Sequence, residues 1–270
     1  MENFLIKYSP KEWANLTKEK IKEKVSKMTI KPSVTILNAL ETPASLSYVK
    51  GKIKDCEEVG IEAKYVGQDK ITSVEELRAE VIHSSTTGII VQEPLPNFFR
   101  KKAYSGLIYP LADVDGTKRN SIFTPATPLG IMNWLNGNEI SLVGMDVCII
   151  GRSDLVGKPL ANLMTAADAT VTLCHSKTKS LKEKIQMADI VVAAIGNPNV
   201  LKREWFEDGK TRLVIDVGIN RVNGKLTGDV PKFESLNGGY CTPVPGGVGL
   251  LTRVALLENI LKAHQMQGKG

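Results

Sequence analysis

The chain has 270 residues, 42% hydrophobic and 24% charged, proportions that suit a soluble α/β protein able to bury its core without staples. Its net charge of +6 is dispersed, without long lysine runs or interleaved aromatics, which argues against nucleic acid as a partner. The four cysteines form no Cys-x-x-Cys pair, His83, His175 and His264 are scattered, and the apolar runs are strand-length, so a bound metal and a membrane span are excluded as readings.

No basic n-region or long apolar stretch opens the sequence, so it reads as a reduced, cytoplasmic chain. Residues 11–28, rich in Lys, Glu and Leu, predict a surface helix, and Ser33–Leu37 a buried strand. A helix follows from Pro43 to about Gly60. At roughly 100° per residue, Leu46, Val49, Ile53, Cys56 and Val59 share one arc, and Lys50, Lys54, Glu57 and Glu58 face away. Tyr48 and Lys52, one turn apart, fall in or beside the apolar arc. A lysine there either lays its stem on apolar surface and sends its ammonium to water, or is held in a site.

Ile61–Val66 predicts a second strand, and Ser73 with Glu76 a capping box opening a helix to about residue 85. Gly88–Gln92 predicts a third strand, stopped by Glu93-Pro94-Leu95-Pro96. Strands alternating with helices imply a parallel sheet, whose ligands gather at the carboxyl strand ends. Gln92 stands at such an end, facing a ligand or capping a turn. Asp113-Val114-Asp115-Gly116 forms an acidic loop, which an Asx-turn also explains.

Thr127 as N-cap and Pro128 at the first position predict a further helix. The architecture then restarts. Strands are predicted at 145–150, 169–174, 190–195 and 212–219, with Gly151-Arg152-Ser153 between the first strand and a helix to about 167. Thr242–Thr252 is a loop stiffened by prolines and opened by glycines. An apolar helix over about 249–265 is expected to pack back on the first domain. The fold is therefore α/β: an N-terminal domain of 1–127 completed by 249–270, and a Rossmann-type domain of 128–248, with an interdomain cleft.

A strand running into a glycine turn and a helix suits a dinucleotide or a plain tight turn. The following strand ends Cys174-His175-Ser176-Lys177 without the carboxylate that binds a ribose 2′-hydroxyl. Arg152 and Ser153 supply a guanidinium and a hydroxyl instead, which suit a 2′-phosphate and hence NADP.

Several motifs occur together and in order. They are Pro43-Ala-Ser with Tyr48-Val-x-x-Lys52, Gly88-Ile-Ile-Val-Gln92 with Pro94-Leu-Pro96, Asp113-Val-Asp-Gly116, and Thr127-Pro-x-Gly130. Gly151-Arg-Ser-x-x-Val-Gly-x-Pro159, His175-Ser-x-Thr178, Asp216-Val-Gly-Ile-Asn220 and Pro243-Val-Pro-Gly-Gly-Val-Gly249 complete the set. With these the chain resembles the bifunctional methylenetetrahydrofolate dehydrogenase/methenyltetrahydrofolate cyclohydrolase family, known in bacteria as FolD.

The resemblance implies NADP-dependent oxidation of 5,10-methylenetetrahydrofolate and hydrolysis of the methenyl product to 10-formyltetrahydrofolate. It implies Lys52 as the central group of the hydrolytic step, Tyr48 against the folate, Gln92 adjusting Lys52, and Asp115 on the pterin amino end. Pro245, Gly246 and Gly247 would lie near the reacting centre. Gly151, Arg152, Ser153, Ser176, Ile219 and Thr127 would line the NADP site, and the protein would be a homodimer. The chemistry is coherent: water attacking an iminium carbon needs a proton acceptor, which a lysine supplies when burial lowers its pKa.

The chain departs from the family pattern at Glu93, Ala112 and Leu250, where Leu, Lys and Pro are usual, and in a short loop after Gly116. Other readings stay open beside the resemblance: an NADP dehydrogenase of the shikimate or amino-acid type, a dehydrogenase-only member, and a non-catalytic NADP- or folate-binding protein.

Overall fold

The structure, a computed structural model, describes residues 5–97, 99, 106–117, 121–207, 209–232 and 239–268. The chain forms two compact units, Asn15–Ala126 with Arg253–Gly270, and Met1–Ala14 with Thr127–Thr252. In the first, helix α1 (Pro10–Ser26) leads into strand β1 (Ser33–Leu37), helix α2 (Pro43–Val59), strand β2 (Glu62–Val66), helix α3 (Val74–Ile82) and strand β3 (Gly88–Val91). The three strands are parallel in the order β2-β1-β3, with Val34 opposite Ala63 and Gly88. The chain thus leaves β1 to one side and returns on the other, which places a crevice at the carboxyl end of β1.

Local chemistry fixes the ends of α2. The Thr42 hydroxyl accepts the Ser45 amide at 3.0 Å and Ser45 Oγ accepts the Thr42 amide at 2.9 Å, a closed capping box. At the other end Gly60, at φ +82°, supplies the left-handed residue that stops the helix. Val49, Cys56 and Val59 are buried, and Lys50, Lys54, Glu57 and Glu58 are exposed. The capping box of α3 also forms, but α3 ends at Ile82, three residues early. There the His83 amide and imidazole Nδ1 both donate to the Ala79 carbonyl, at 2.9 and 2.8 Å, and turn the chain.

The second unit contains α4 (Ala126–Gly137), β4 (Asp146–Ile150), α5 (Gly157–Ala166), β5 (Thr170–Cys174), α6 (Leu181–Gln186), β6 (Ile190–Ala193), β7 (Leu213–Asp216), β8 (Asn220–Val222), β9 (Lys225–Thr227) and β10 (Tyr240–Cys241). Its main sheet is parallel in the order β10-β7-β6-β4-β5. The reversal falls at β4, so the crevice lies at the carboxyl ends of β4 and β6. Thr127 is not the cap of α4. The helix begins one residue earlier, where the Ala126 amide is taken by the Asp115 carbonyl at 3.4 Å. The first 14 residues group here because Trp134 Nε1 donates to the Tyr8 carbonyl at 2.9 Å, and the Tyr8 amide to Asn138 Oδ1 at 2.8 Å.

Two strands are shorter than the apolar runs that announce them. β6 stops at Ala193 because the next free amides, of Ile195 and Gly196, bond a side-chain carboxylate. β7 stops at Asp216, whose Oδ1 accepts the Gly218 amide at 2.9 Å and bends the chain out of the ladder. The β8–β9 hairpin was not anticipated, although Asn223-Gly224 marks it: both residues have positive φ, 50° and 77°, as a type I′ turn requires.

Helix α7 (Val248–Met266) gives Leu256, Leu257, Ile260, Leu261 and Ala263 to the core around Val34, Ile36 and Val49. None of the helices among the described residues is long and apolar enough to cross a membrane. Arg253 Nε donates to Asp55 Oδ2 at 3.0 Å, and Lys18 Nζ lies 3.6 Å from Oδ1. The guanidinium lies over Gly51, where a Cβ would overlap Arg253 Nη1. Burial pushes the Asp55 carboxyl up, and Arg253 and Lys18 draw it back. Arg253→Met is therefore expected to cost about 2 kcal/mol at neutral pH, below the full value for a broken buried pair because Lys18 remains. Removing the cation raises the folded-state pKa further. The loss is then largest above that value and shrinks as pH falls through it and Asp55 takes up a proton. Urea unfolding of both proteins at pH 8 and pH 5 measures the difference.

Candidate functional site

Lys52 projects from the middle of α2 with its side chain only 11% exposed. Its Nζ lies 3.6 Å from Asp115 Oδ2, a carboxylate itself 21% exposed. The ammonium therefore does not simply reach water along its stem. It is held against a partner more than 60 residues away in sequence, whose charge compensates its own. Tyr48, one turn earlier on α2, is 38% exposed and presents a flat aromatic surface.

The loop carrying Asp115 is fixed from several sides. Val114 is fully buried, and Asn259 Nδ2 on α7 donates to the Val114 carbonyl at 2.9 Å and the Thr124 carbonyl at 3.1 Å. Asp113, buried, accepts the Thr117 amide at 3.3 Å through Oδ1 and the Gly116 amide at 2.9 Å through its carbonyl, so this first aspartate turns the chain over four residues and not through the two-residue span of an Asx-turn. Gly116 has φ +66°, and a Cβ there would stand 2.7 Å from Pro125 N and the Thr124 carbonyl. Only glycine accommodates both demands. The short loop noted after Gly116 runs through 118–120, which lie outside the described residues.

Gln92 extends β3 by one hydrogen bond, its amide donating to the Leu37 carbonyl at 2.8 Å. Its Nε2 donates to the Glu93 carbonyl at 2.7 Å, while its Oε1 is buried without a hydrogen-bond partner among the described residues. A buried acceptor left unpaired is costly, and here it stands at the carboxyl edge where a ligand is expected. Asn38, at the end of β1, repeats the pattern and was missed in the sequence. It is fully buried, donates through Nδ2 to Tyr65 Oη at 3.3 Å and Ser45 Oγ at 3.4 Å, and leaves Oδ1 without a partner among the described residues. The signal was available: an asparagine directly after the buried Ile36-Leu37 end of the strand.

In the second unit the turn after β4 is built for close approach. Gly151 has φ +126°, and a Cβ there would overlap the Ala194 carbonyl oxygen. At Gly157, the first residue of α5, a Cβ would overlap the Gly151 carbonyl oxygen. Ser153 Oγ accepts the Val156 amide at 3.2 Å and the Gly157 amide at 3.5 Å, which aligns the start of this ten-residue helix. Arg152 and Ser176 are exposed at the ends of β4 and β5. The cradle, the helix N-terminus and the exposed guanidinium fit a phosphorylated dinucleotide.

Ile219 is 42% exposed after β7, and its Cδ1 lies 3.7 Å from the place a Cβ on Gly249 would take. Pro245 and Gly246 are exposed. Gly246 has φ +97° with open space beside it, and Gly247 backs onto the Pro243 carbonyl. The Thr127 hydroxyl pairs with that of Thr252 at 2.9 Å, and Thr252 donates in turn to the Val248 carbonyl at 3.1 Å. The candidate residues therefore fall into two groups. Tyr48, Lys52, Gln92 and Asp115 belong to the first unit; Thr127, Gly151, Arg152, Ser153, Ser176, Ile219 and Pro245–Gly247 belong to the second.

Two family models match the chain: the tetrahydrofolate dehydrogenase/cyclohydrolase catalytic domain over residues 9–115, and the NAD(P)-binding domain of the same family over 125–268. The bifunctional protein FolD of Bacillus cereus is 40% identical over 273 aligned residues, covering 96% of this chain and 94% of its own. The crystal structure of the bifunctional enzyme FolD, methylenetetrahydrofolate dehydrogenase/cyclohydrolase, from Campylobacter jejuni superposes with a TM-score of 0.86 at 37% identity. It covers 96% of this chain and 98% of that one. The Trypanosoma brucei methylenetetrahydrofolate dehydrogenase-cyclohydrolase, solved with NADP cofactor and an inhibitor, superposes at 0.88 with 29% identity over 100% of both chains.

Proposed function

The chain belongs to the tetrahydrofolate dehydrogenase/cyclohydrolase family, and on that premise we propose that it catalyses two successive steps. It oxidises 5,10-methylenetetrahydrofolate with NADP, then hydrolyses the methenyl product to 10-formyltetrahydrofolate. The observation that carries the reading is the Lys52–Asp115 pair at 3.6 Å, with Lys52 one turn along α2 from the exposed Tyr48.

NADP, when bound, would supply the hydride acceptor. The residues of the second unit would hold it: the Gly151–Gly157 cradle would let backbone approach a pyrophosphate, and Arg152 would pair with a 2′-phosphate. In the first unit Tyr48 stacks on the pterin or aminobenzoyl ring. Asp115 accepts from the pterin amino end and holds Lys52 in place. The methenyl carbon is cationic, and Lys52, once its ammonium has released a proton to solvent, takes as the free amine the proton of the water that attacks that carbon. Gln92 Oε1 accepts from Lys52 or from a folate N–H, which satisfies its buried oxygen.

Purified protein supplied with methylenetetrahydrofolate and either nucleotide tests the whole reading. The expected result is reduced NADP together with 10-formyltetrahydrofolate. Reduced NADP without the formyl product leaves a dehydrogenase alone, and no turnover leaves a binding protein. Arg152→Ala is expected to raise KM for NADP by about 10–100-fold, the worth of a charge-assisted contact, and KM for NAD by less than about twofold. Equal effects on both nucleotides would remove the 2′-phosphate assignment. A cytoplasmic homodimer, which the family resemblance implies, is part of the same proposal, and sedimentation in the analytical ultracentrifuge tests the dimer.

A further inference from the structure

Asp229 follows the β8–β9 hairpin and is fully buried. Its Oδ2 accepts two successive backbone amides just past β6, from Ile195 at 2.6 Å and Gly196 at 2.9 Å. Its Oδ1 accepts Asn220 Nδ2, just past β7, at 2.9 Å. Among the described residues it has no ion-pair partner, so these N–H groups alone compensate its charge. Successive amides converging on one carboxylate form an anion nest, here occupied by the protein itself.

The nest is anchored on both sides. Asp216, buried at the end of β7, accepts the Asp229 amide at 2.9 Å and the Val230 amide at 3.0 Å. A Cβ on Gly218 would overlap the Asp229 carboxyl, and one on Gly228 would overlap that of Asp216. The turn that Asp229 grips at Ile195–Gly196 begins at Ala194, the residue whose carbonyl lies against Gly151. The other turn it grips carries Ile219, which leans toward Gly249. One carboxylate thus ties the strand-end turn behind the glycine cradle to the turn that presents Ile219.

We propose that Asp229 is a positioning residue for the NADP-dependent step, setting where Gly196 and Ile219 stand at the rim of the cofactor site. The inference rests on the reading of the second unit as the NADP site. Asp229 touches neither nucleotide nor folate; it acts through the two turns. Its charge matters as well as its shape, because three donors converge on it and an amide presents only one acceptor atom.

The test uses Asp229→Asn alone and combined with Asn220→Asp. In the single variant the new amide keeps Oδ1 for the Ile195 and Gly196 amides and turns its NH2 toward the NH2 of Asn220, two donors face to face. In the double variant the acceptor lies on the other side and this bond reforms, although the bond from Asn220 Nδ2 to the Gly228 carbonyl at 3.2 Å is lost. NADP affinity is measured by calorimetry without folate. KM for NADP is measured in the dehydrogenase assay, and hydrolysis of methenyltetrahydrofolate is followed with no nucleotide present. Asp229→Asn is expected to weaken NADP binding and raise its KM by about tenfold. Hydrolysis should stay within about twofold, and the double variant should recover most of the affinity. Unchanged NADP affinity in Asp229→Asn overturns the proposal. So does equal loss of both activities that the double variant does not restore, which would mean a structural role only. A wild-type protein that binds no NADP would instead refute the underlying reading, so the two failures are separable.

Discussion

Lys52→Met is expected to slow hydrolysis of methenyltetrahydrofolate by about 10²–10⁴-fold, the range for loss of a positioned proton acceptor. Methionine keeps the unbranched stem and its packing on α2, so the change removes the amine with little loss of volume. It also leaves Asp115 without the cation 3.6 Å away. Asp115 is about one-fifth exposed, and water solvates what remains of its charge. The variant should therefore stay folded and bind NADP with wild-type affinity. Stopped-flow decay of the methenyl absorbance, beside NADP calorimetry, measures both. Hydrolysis near the wild-type rate would remove Lys52 from its role, whereas loss of NADP binding would mean that the substitution had disturbed more than the amine.

Gly157→Ala should act on the other half of the molecule. The added methyl would overlap the Gly151 carbonyl oxygen, backbone against backbone, with no flexible side chain to give way. Relief requires the start of α5 to move from the turn after β4, which moves the helix N-terminus away from the phosphate position. NADP affinity is expected to fall by more than about 100-fold, with hydrolysis of the methenyl compound retained. Equilibrium NADP binding and the nucleotide-free hydrolysis assay separate the two effects. Unchanged NADP affinity would show that the cradle is not where the pyrophosphate lies.

How much of this was legible in the sequence depends on the reach of each interaction. The helix carrying Tyr48 and Lys52 announced itself because its signals are local: Pro43 at one end, Gly60 at the other, and an apolar arc between them. Lys52 stood out as a charge within that arc. Asp55 falls close to Val59 on the same wheel and could have been noticed, but its partner Arg253 is nearly 200 residues away. The strand ends at Ala193 and Asp216 were read too long because what stops them is not local. A carboxylate at position 229 takes the amides that would have continued β6, and no periodicity within the strand records it. The family motif singled out Asp115 for the pterin amino end and did not show that it stands beside Lys52. A loop of two aspartates does not say which one turns the chain and which one faces the lysine; the structure gives the turn to Asp113 and the lysine to Asp115.

The two bonds from Asn259 to the loop around Asp115 bear on how the protein is made. The carbonyls they hold belong to Val114 and Thr124, 145 and 135 positions earlier in the chain. On a ribosome adding residues from the N-terminus, the lysine and its acidic partner emerge long before the asparagine that secures their loop. The whole of 127–252 is synthesised in the interval. The unit that matches the NAD(P)-binding domain can therefore close while the unit that matches the catalytic domain still exposes the apolar surface that α7 will cover. Protection of that surface has to last until α7 is synthesised, and the loop that sets Asp115 beside Lys52 is secured only then.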